Sequence, residues 1–291
     1  MSAQNWYQSG KTVPLQQLEV FYTEKGKGEN LLCIHGFPTS SWDFEPMWEE
    51  LADRYRVIAS DLIGLGESDK SPKKISVMQQ ADILEALLQK LAIKNTHILA
   101  HDLGDTIAQE LLARQIEGSS PILYKSCVFL NGGLFPETHR PRLIQSLLIS
   151  PLGSLVAQLF TLKSYRRNMR QVFSPHFPPS EEFIQETWRL IQARDGLQAF
   201  PRLIRYMAER KKYRERWVGA LSNSPIPLRL INGALDPVSG RHAGERYQTL
   251  IPEPDVVFLE KLGHYPHVEN PRMVLDAFWE FHEKINASGS E

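Results

Sequence analysis

Asp102, Asp236 and His264 have the residue types and the chain order for a two-step displacement. Asp102 is the centre of A-H-D-L-G, residues 100–104, between a strand-like run and a helical one. Small residues at both ends, Ala100 and Gly104, permit a sharp strand-to-helix turn that lifts the central side chain to a helix N-terminus. The helix dipole favours an anion there. Taken alone, the five residues equally describe a helix N-cap. A carboxylate attacks an amide or ester carbonyl poorly, where a serine would serve. It attacks an alkyl carbon bearing a leaving group well, opening an epoxide or displacing a halide and leaving an alkyl ester on the protein. Neutral His264, oriented by Asp236, is then expected to activate a water against that ester. Loops after other strands complete the set. H-G-F-P, residues 35–38, is expected to place the Phe37 N–H beside that of Leu103 as an oxyanion hole. Asp236 follows a strand in N-G-A-L-D-P, and His264 follows another in L-G-H-Y-P-H.

Elements must hold these residues together. N-L-L-C-I, R-V-I-A-S, T-H-I-L-A, K-S-C-V-F-L, P-L-R-L-I and D-V-V-F-L are continuous apolar runs, the pattern of parallel strands covered on both faces. Amphipathic helical spacing fills Val77–Leu91 and Ile107–Leu112. Pro271 opens a last helix through Met273, Leu275, Phe278 and Phe281. Residues Lys11 to Lys25 read as antiparallel strands leading in. Strand–helix alternation of this kind implies an α/β fold with a doubly wound, mostly parallel sheet. From Leu134 to Asn223 the alternation stops, and only helical patterns and prolines follow. Residues 1–133 and 224–291 are therefore expected to form the core. Residues 134–223 are expected to form an inserted helical cap over the carboxyl edge of the sheet, where ligands bind.

The order nucleophile, acid, histidine is that of the α/β-hydrolases, and the chain resembles that fold over nearly its whole length. Members with aspartate at the turn include epoxide hydrolases, haloalkane dehalogenases and fluoroacetate dehalogenases. H-G-F-P-T-S-S-W-D, H-D-L-G-D-T-I-A-Q-E-L-L, N-G-G-L-F-P-E-T-H-R-P and R-W-V-G-A-L resemble the mesoderm-specific transcript protein family more closely. The resemblance implies the fold and the Asp102–Asp236–His264 set, and no particular substrate.

Within that resemblance the electrophile is read from neighbouring positions. Haloalkane dehalogenases place a tryptophan after the nucleophile to hold the halide, and fluoroacetate dehalogenases an arginine to hold a carboxylate. Leu103 can do neither, and Phe37 fills the slot of the second halide donor. Epoxide hydrolases carry H-G-F-P, as here, and cap tyrosines that protonate the opening alkoxide. Tyr206, in L-I-R-Y-M-A-E-R, corresponds to one of them, and Tyr165 is a rough candidate for the other. Phe37, Leu103 and Tyr165 are expected to contact a small apolar electrophile, with water as second substrate and no cofactor. A haloalkane dehalogenase-like hydrolase, or a non-catalytic binding protein on the same fold, is the alternative.

Other polar residues have structural readings. His101 points away from the site, His35 braces its loop, and Asp61 belongs to the turn D-L-I-G-L-G-E-S-D. That run lacks the third glycine of a dinucleotide loop. Asp105 suits the first turn of a helix. Asn131 cannot offset an imidazolium charge, so Asp236 is preferred as the acid. His264 and His267 could mimic a metal pair, but no third ligand is evident, and no metal is expected. The run Arg210–Trp217 reads as a solvated helix face rather than a nucleic-acid patch. Net charge is −1 over 291 residues, which gives no global field for nucleic acid. Cys33 and Cys127, both in apolar runs, suit buried thiols in a reducing, cytoplasmic compartment. The opening M-S-A-Q-N-W-Y-Q-S-G lacks the apolar core of a signal peptide, and no run approaches the 18 residues of a membrane span.

Overall fold

The apolar runs become strands because helices cover both faces of the sheet they form. The computed structural model describes residues 1–288. Its strands are β1 (Lys11–Leu15), β2 (Leu18–Lys25), β3 (Glu29–Ile34), β4 (Tyr55–Ser60), β5 (Asn95–His101), β6 (Leu123–Leu130), β7 (Leu228–Gly233) and β8 (Val256–Leu259). They lie in the order β1-β2-β4-β3-β5-β6-β7-β8. The β1–β2 and β2–β4 pairs are antiparallel, and the pairs from β4 through β8 are parallel. Most of the apolar strand residues are buried, and those of the central strands β3 and β5 almost completely.

The helix expected at Val77–Leu91 spans Val77–Lys90, capped by the Ser76 hydroxyl, which accepts from Gln79 N–H. The one expected at Ile107–Leu112 is longer, Leu103–Ile116, and is buried almost throughout its first three turns. The last helix is Pro271–Ser288, as expected from Pro271. The helices Ala3–Ser9, Glu45–Ala52 and Arg241–Leu250 were not foreseen. The Ser2 side chain caps the first of them, and Trp6 is fully buried against Trp48, with its ring N–H donating to Ser41 Oγ at 3.1 Å. Cys33 and Cys127 are buried free thiols. No helix among the described residues is long and apolar enough to cross a membrane.

Between β6 and β7 the chain runs through successive helices, among them Leu143–Ile149, Gly153–Gln158, Leu162–Val172, Glu181–Gln192, Tyr206–Lys212 and Arg214–Ser222. No strand interrupts them among the described residues. The last of these packs along Leu103–Ile116. There the reading of Arg210–Trp217 as a solvated face is corrected. Arg210 and Trp217 are each 2% exposed. The Trp217 ring N–H and the Arg216 guanidinium both donate to the buried Glu110 carboxylate, at 2.8 and 2.7 Å. Lys211, Lys212 and Glu215 in between are exposed, but the two ends of the run face inward, and Arg216 and Trp217 serve a buried acid on the neighbouring helix, a partner invisible in local sequence.

Candidate active site

Sheet register brings the chemistry together. β3 pairs with β5 so that Ile34 lies beside Ala100, and β5 pairs with β6 so that His101 lies beside Leu130. β7 and β8 end side by side at Gly233 and Leu259. All these strands are parallel, so the loops carrying Phe37, Asp102, Asn131, Asp236 and His264 leave the same edge.

Asp102 has φ +51° and ψ −105°, a sparsely populated conformation for a residue with a Cβ, costing ~1–3 kcal/mol. Close packing holds it there. A Cβ on Gly36 would lie 2.5 Å from Asp102 Cβ, and one on Gly104 would lie 2.1 Å from the Ile34 carbonyl oxygen. Asp102 is buried, and its Oδ2 accepts from the Phe37 N–H at 3.0 Å. Leu103 is the first residue of the following helix, so its N–H has no carbonyl partner within that helix.

His264 Nδ1 lies 2.8 Å from Asp236 Oδ2. Burial alone would lower the His264 pKa, but the Asp236 carboxylate, its hydrogen bond and the Asp102 charge overcome this and raise it to about 9. Burial opposes the Asp236 charge as well. The His264 ring, the Val238 N–H and the Ser239 hydroxyl hold that carboxyl below its usual range. Asn131 completes the arrangement. Its Nδ2 donates to Asp236 Oδ2 at 3.1 Å and to the Gly233 carbonyl at 3.0 Å, and its Oδ1 accepts from Gly233 N–H at 2.6 Å. It thus buttresses Asp236. Glu269 secures the His264 loop by accepting from the Gly263, Tyr265 and Ser174 N–H groups. Sequence reasoning missed Glu269, and nothing in the local pattern signals it.

A cavity of about 80 Å³ opens above Asp102 and His264. Its walls are mostly apolar, with Phe37, Ile144, Leu148, Phe160, Phe200 and Val238 among them. Tyr165 is also in the wall, but its hydroxyl donates to Thr187 Oγ1 at 2.8 Å. Tyr206 is not among the lining residues. It is buried behind Phe37, with ring centroids 6.4 Å apart, and its hydroxyl has no hydrogen-bond partner. Leu103 is buried and is not part of the wall either. Arg210, from the helix of Tyr206, stacks over that ring at 4.6 Å and donates to the Asp102 carbonyl oxygen at 3.1 Å and to Thr106 Oγ1 at 2.7 Å. Its guanidinium also stands 3.9 Å from Asp102 Oδ1. Sequence reasoning missed this partner, having assigned its run to solvent.

The remaining polar residues fall behind the site. His101 Nε2 faces the His264 carbonyl oxygen at 2.8 Å. His35 braces its loop, accepting from Leu62 N–H at 2.9 Å through Nε2. Asp61 accepts from Ser41 and Glu67 N–H, tying two loops together. Asp105 is buried, and burial together with the Asp102 charge pushes its carboxyl well above the usual range. The His264–His267 pair gains no third ligand among the described residues, but His267 joins a different group. Asp43, His101 and His267 each bring a possible ligand atom within 4.8 Å of the others. Asp43 Oδ1, His101 Nδ1 and both His267 ring nitrogens are buried without hydrogen-bond partners. Such a donor set fits a bound water or a divalent ion.

An α/β hydrolase fold family model matches residues 29–271. The human mesoderm-specific transcript homolog protein is 40% identical over 290 residues, covering 95% of this chain and 87% of that protein. Among solved structures, a loop variant of haloalkane dehalogenase DbeA from Bradyrhizobium elkanii superposes with TM-score 0.81 at 21% identity, covering 97% of this chain and 98% of that one. Epoxide hydrolase CorEH superposes with TM-score 0.77 at 19% identity, covering 95% and 99%. At such identities the two structures speak for the fold alone. With the family match and the 40% relative, the strand order and the loops at one sheet edge lead to one conclusion: the chain belongs to the α/β hydrolase fold family, together with the mesoderm-specific transcript proteins.

Proposed function

We propose that this protein is a hydrolase in which Asp102 attacks an alkyl carbon, with an epoxide as the electrophile. The observation that carries the reading is the Asp102 carboxylate itself. It is buried at the floor of an apolar cavity, with one oxygen on the Phe37 N–H and His264 in the same cavity wall. Asp102 Oδ1 attacks a ring carbon, the carbon–oxygen bond breaks, and the alkoxide takes a proton. The product is a hydroxyalkyl ester whose carbonyl oxygen is Oδ2. His264 then removes a proton from water, which attacks the ester carbonyl carbon. The oxyanion forms where Phe37 N–H already donates, with Leu103 N–H as the second donor. Collapse expels the diol oxygen, which takes the proton held by His264, and the new Asp102 carboxyl loses its proton to the tyrosinate left by the first step, so the carboxylate is restored. Residues 134–223 act as the cap that supplies most of the apolar wall, and no cofactor takes part. The two buried thiols favour a reducing, cytoplasmic setting.

The proton donor is a tyrosine of the cap. Tyr165 is in the cavity wall and must turn its hydroxyl from Thr187 to the substrate, whereas Tyr206 must reach past Phe37. Halide displacement is the second reading, favoured because the Tyr165 hydroxyl is already engaged by Thr187 and Tyr206 is not in the cavity wall. It lacks ring N–H donors at positions 37 and 103.

The test is intact-mass spectrometry of His264→Gln with a panel of epoxides and haloalkanes. This variant keeps Asp102 but lacks the base, so the ester accumulates. An epoxide adds its full mass, and a haloalkane adds its mass less hydrogen halide. Asp102→Asn should acquire neither adduct. A folded His264→Gln protein that takes up no mass from any member of either class would sink the reading.

A further inference from the structure

The outer face of the helices over the cavity is apolar in a way the rest of the surface is not. Eleven large hydrophobic side chains are exposed among the described residues, and six of them fall within residues 143–159. Leu143, Leu152 and Leu159 are 77%, 64% and 70% exposed. Leu147, Ile149 and Leu155 complete the set. Leu143 and Leu147 are four residues apart on the helix Leu143–Ile149, and Leu152, Leu155 and Leu159 follow helical spacing on and beside Gly153–Gln158. The inward side of the same segment supplies Ile144, Gln145 and Leu148 to the cavity wall. A short stretch of backbone thus separates the cavity from an exposed aliphatic face.

Charge around this face is one-sided. Residues 143–162 contain no Asp, Glu, Lys or Arg. Arg140 and Arg142 precede the stretch, and Lys163, Arg166, Arg167 and Arg170 follow it, so residues 140–170 carry six positive charges and no negative one in a chain of net charge −1. Arg166 and Arg170 are paired with Glu181. Arg140, Lys163 and Arg167 are exposed and have no ion-pair partner among the described residues.

We propose that these helices seat on an anionic lipid surface, and that the apolar substrate passes from the bilayer into the cavity. The substrate half rests on the proposed function, whereas the docking half does not. An aliphatic, uncharged face flanked by Arg and Lys is the composition of a segment that lies in a membrane interface rather than crossing it. Leu and Ile pack against fluid hydrocarbon without fixed geometry. Shaped protein interfaces instead anchor on Trp, Tyr and Arg, and residues 143–162 contain no Trp or Tyr.

Vesicle flotation of the full chain tests this without any substrate. Phosphatidylcholine vesicles containing phosphatidylserine should carry the protein upward, and vesicles of phosphatidylcholine alone, or high salt, should weaken the binding. The double variant Leu155→Glu, Leu159→Glu should bind at least about tenfold more weakly, since binding scales with buried apolar area. Lys163→Glu, Arg167→Glu should lose the preference for phosphatidylserine. Neither pair lines the cavity, so turnover of a water-soluble substrate should persist in both. Failure of the parent protein to float overturns the docking. So does equal binding by the leucine variant, or a concentration-dependent dimer in sedimentation velocity that the leucine variant abolishes. If the parent floats but no epoxide alkylates Asp102, the docking stands and only the catalytic reading falls.

Discussion

Asp102 and His264 are both buried, and the Asp102 charge is one of those that favour the protonated His264 ring. The His264 pKa of about 9, against an ordinary 6.5, means the ring is positively charged in the resting protein near neutral pH. A charged ring cannot act as a base. In the proposed reaction, esterification of Asp102 would remove one of the negative charges that raise it and so shift the ring toward its neutral form, as the second step needs. Asp102→Asn removes the same charge permanently. Its His264 titration, followed by NMR of the ring protons, should therefore lie below that of the parent. An unchanged midpoint would mean that Asp236 and Glu269 set the value without Asp102. The linkage to stability has a definite sign. A pKa raised on folding contributes stability that is fully present below 6.5 and is lost as pH rises through about 9. The parent should lose more stability over that window than His264→Gln does.

At the scale of elements, the turn between β5 and the helix Leu103–Ile116 determines where the Asp102 carboxylate sits. Its tightness depends on Gly104, where a Cβ would meet the Ile34 carbonyl oxygen at 2.1 Å. Backbone cannot swing aside as a flexible side chain can. Gly104→Ala must push the helix away from β3, and with it Asp102 away from the Phe37 N–H. The expected cost is about 1–3 kcal/mol in urea unfolding, with a loss of adduct formation larger than the loss of stability explains. An alanine variant with parental stability and alkylation rate would show that the turn tolerates this displacement.

For the whole molecule, the question is how the inserted helices are tied to the sheet. Glu110, on the helix after Asp102, is 2% exposed. It accepts from the Trp217 ring, from Arg216 and from Arg114. Burial disfavours its charge, but these donors hold its carboxyl below the usual range. The stability it contributes is present above the ordinary Glu pKa and is lost as pH falls through the depressed value. Glu110→Ala leaves the Trp217 indole N–H without its acceptor and takes one carboxylate each from Arg114 and Arg216, which keep Glu85 and Glu117 as partners. Removing one partner of a buried ionic cluster costs about 3 kcal/mol. Chemical unfolding should show that loss, with the variant less sensitive than the parent between pH 5 and 3. A loss under about 1 kcal/mol would mean that water or Glu117 replaces the lost acceptor.

The strands, the helix after Asp102 and the loop order Phe37, Asp102, Asp236, His264 are all legible in the sequence. A buried parallel strand must be apolar along its length, and a tight strand-to-helix turn must be built of small residues. Those requirements act locally, and local pattern records them. What tertiary structure decided is where the long polar side chains end. Arg210 reads as a solvated cation, yet it lies buried against Asp102, because the partner that makes its burial tolerable is 108 positions away in the chain. Asp43 joins His101 and His267 for the same reason. Asn131 reads as a weak candidate acid and becomes the brace of Asp236 through a strand pairing. Tyr206 corresponds to a cap tyrosine by its sequence context, yet it packs beside Phe37 and is not in the cavity wall. Spacing along a chain sets which residues can share a turn or a strand end. The direction of a side chain within a packed interior depends on neighbours from other elements, and only the folded molecule supplies those.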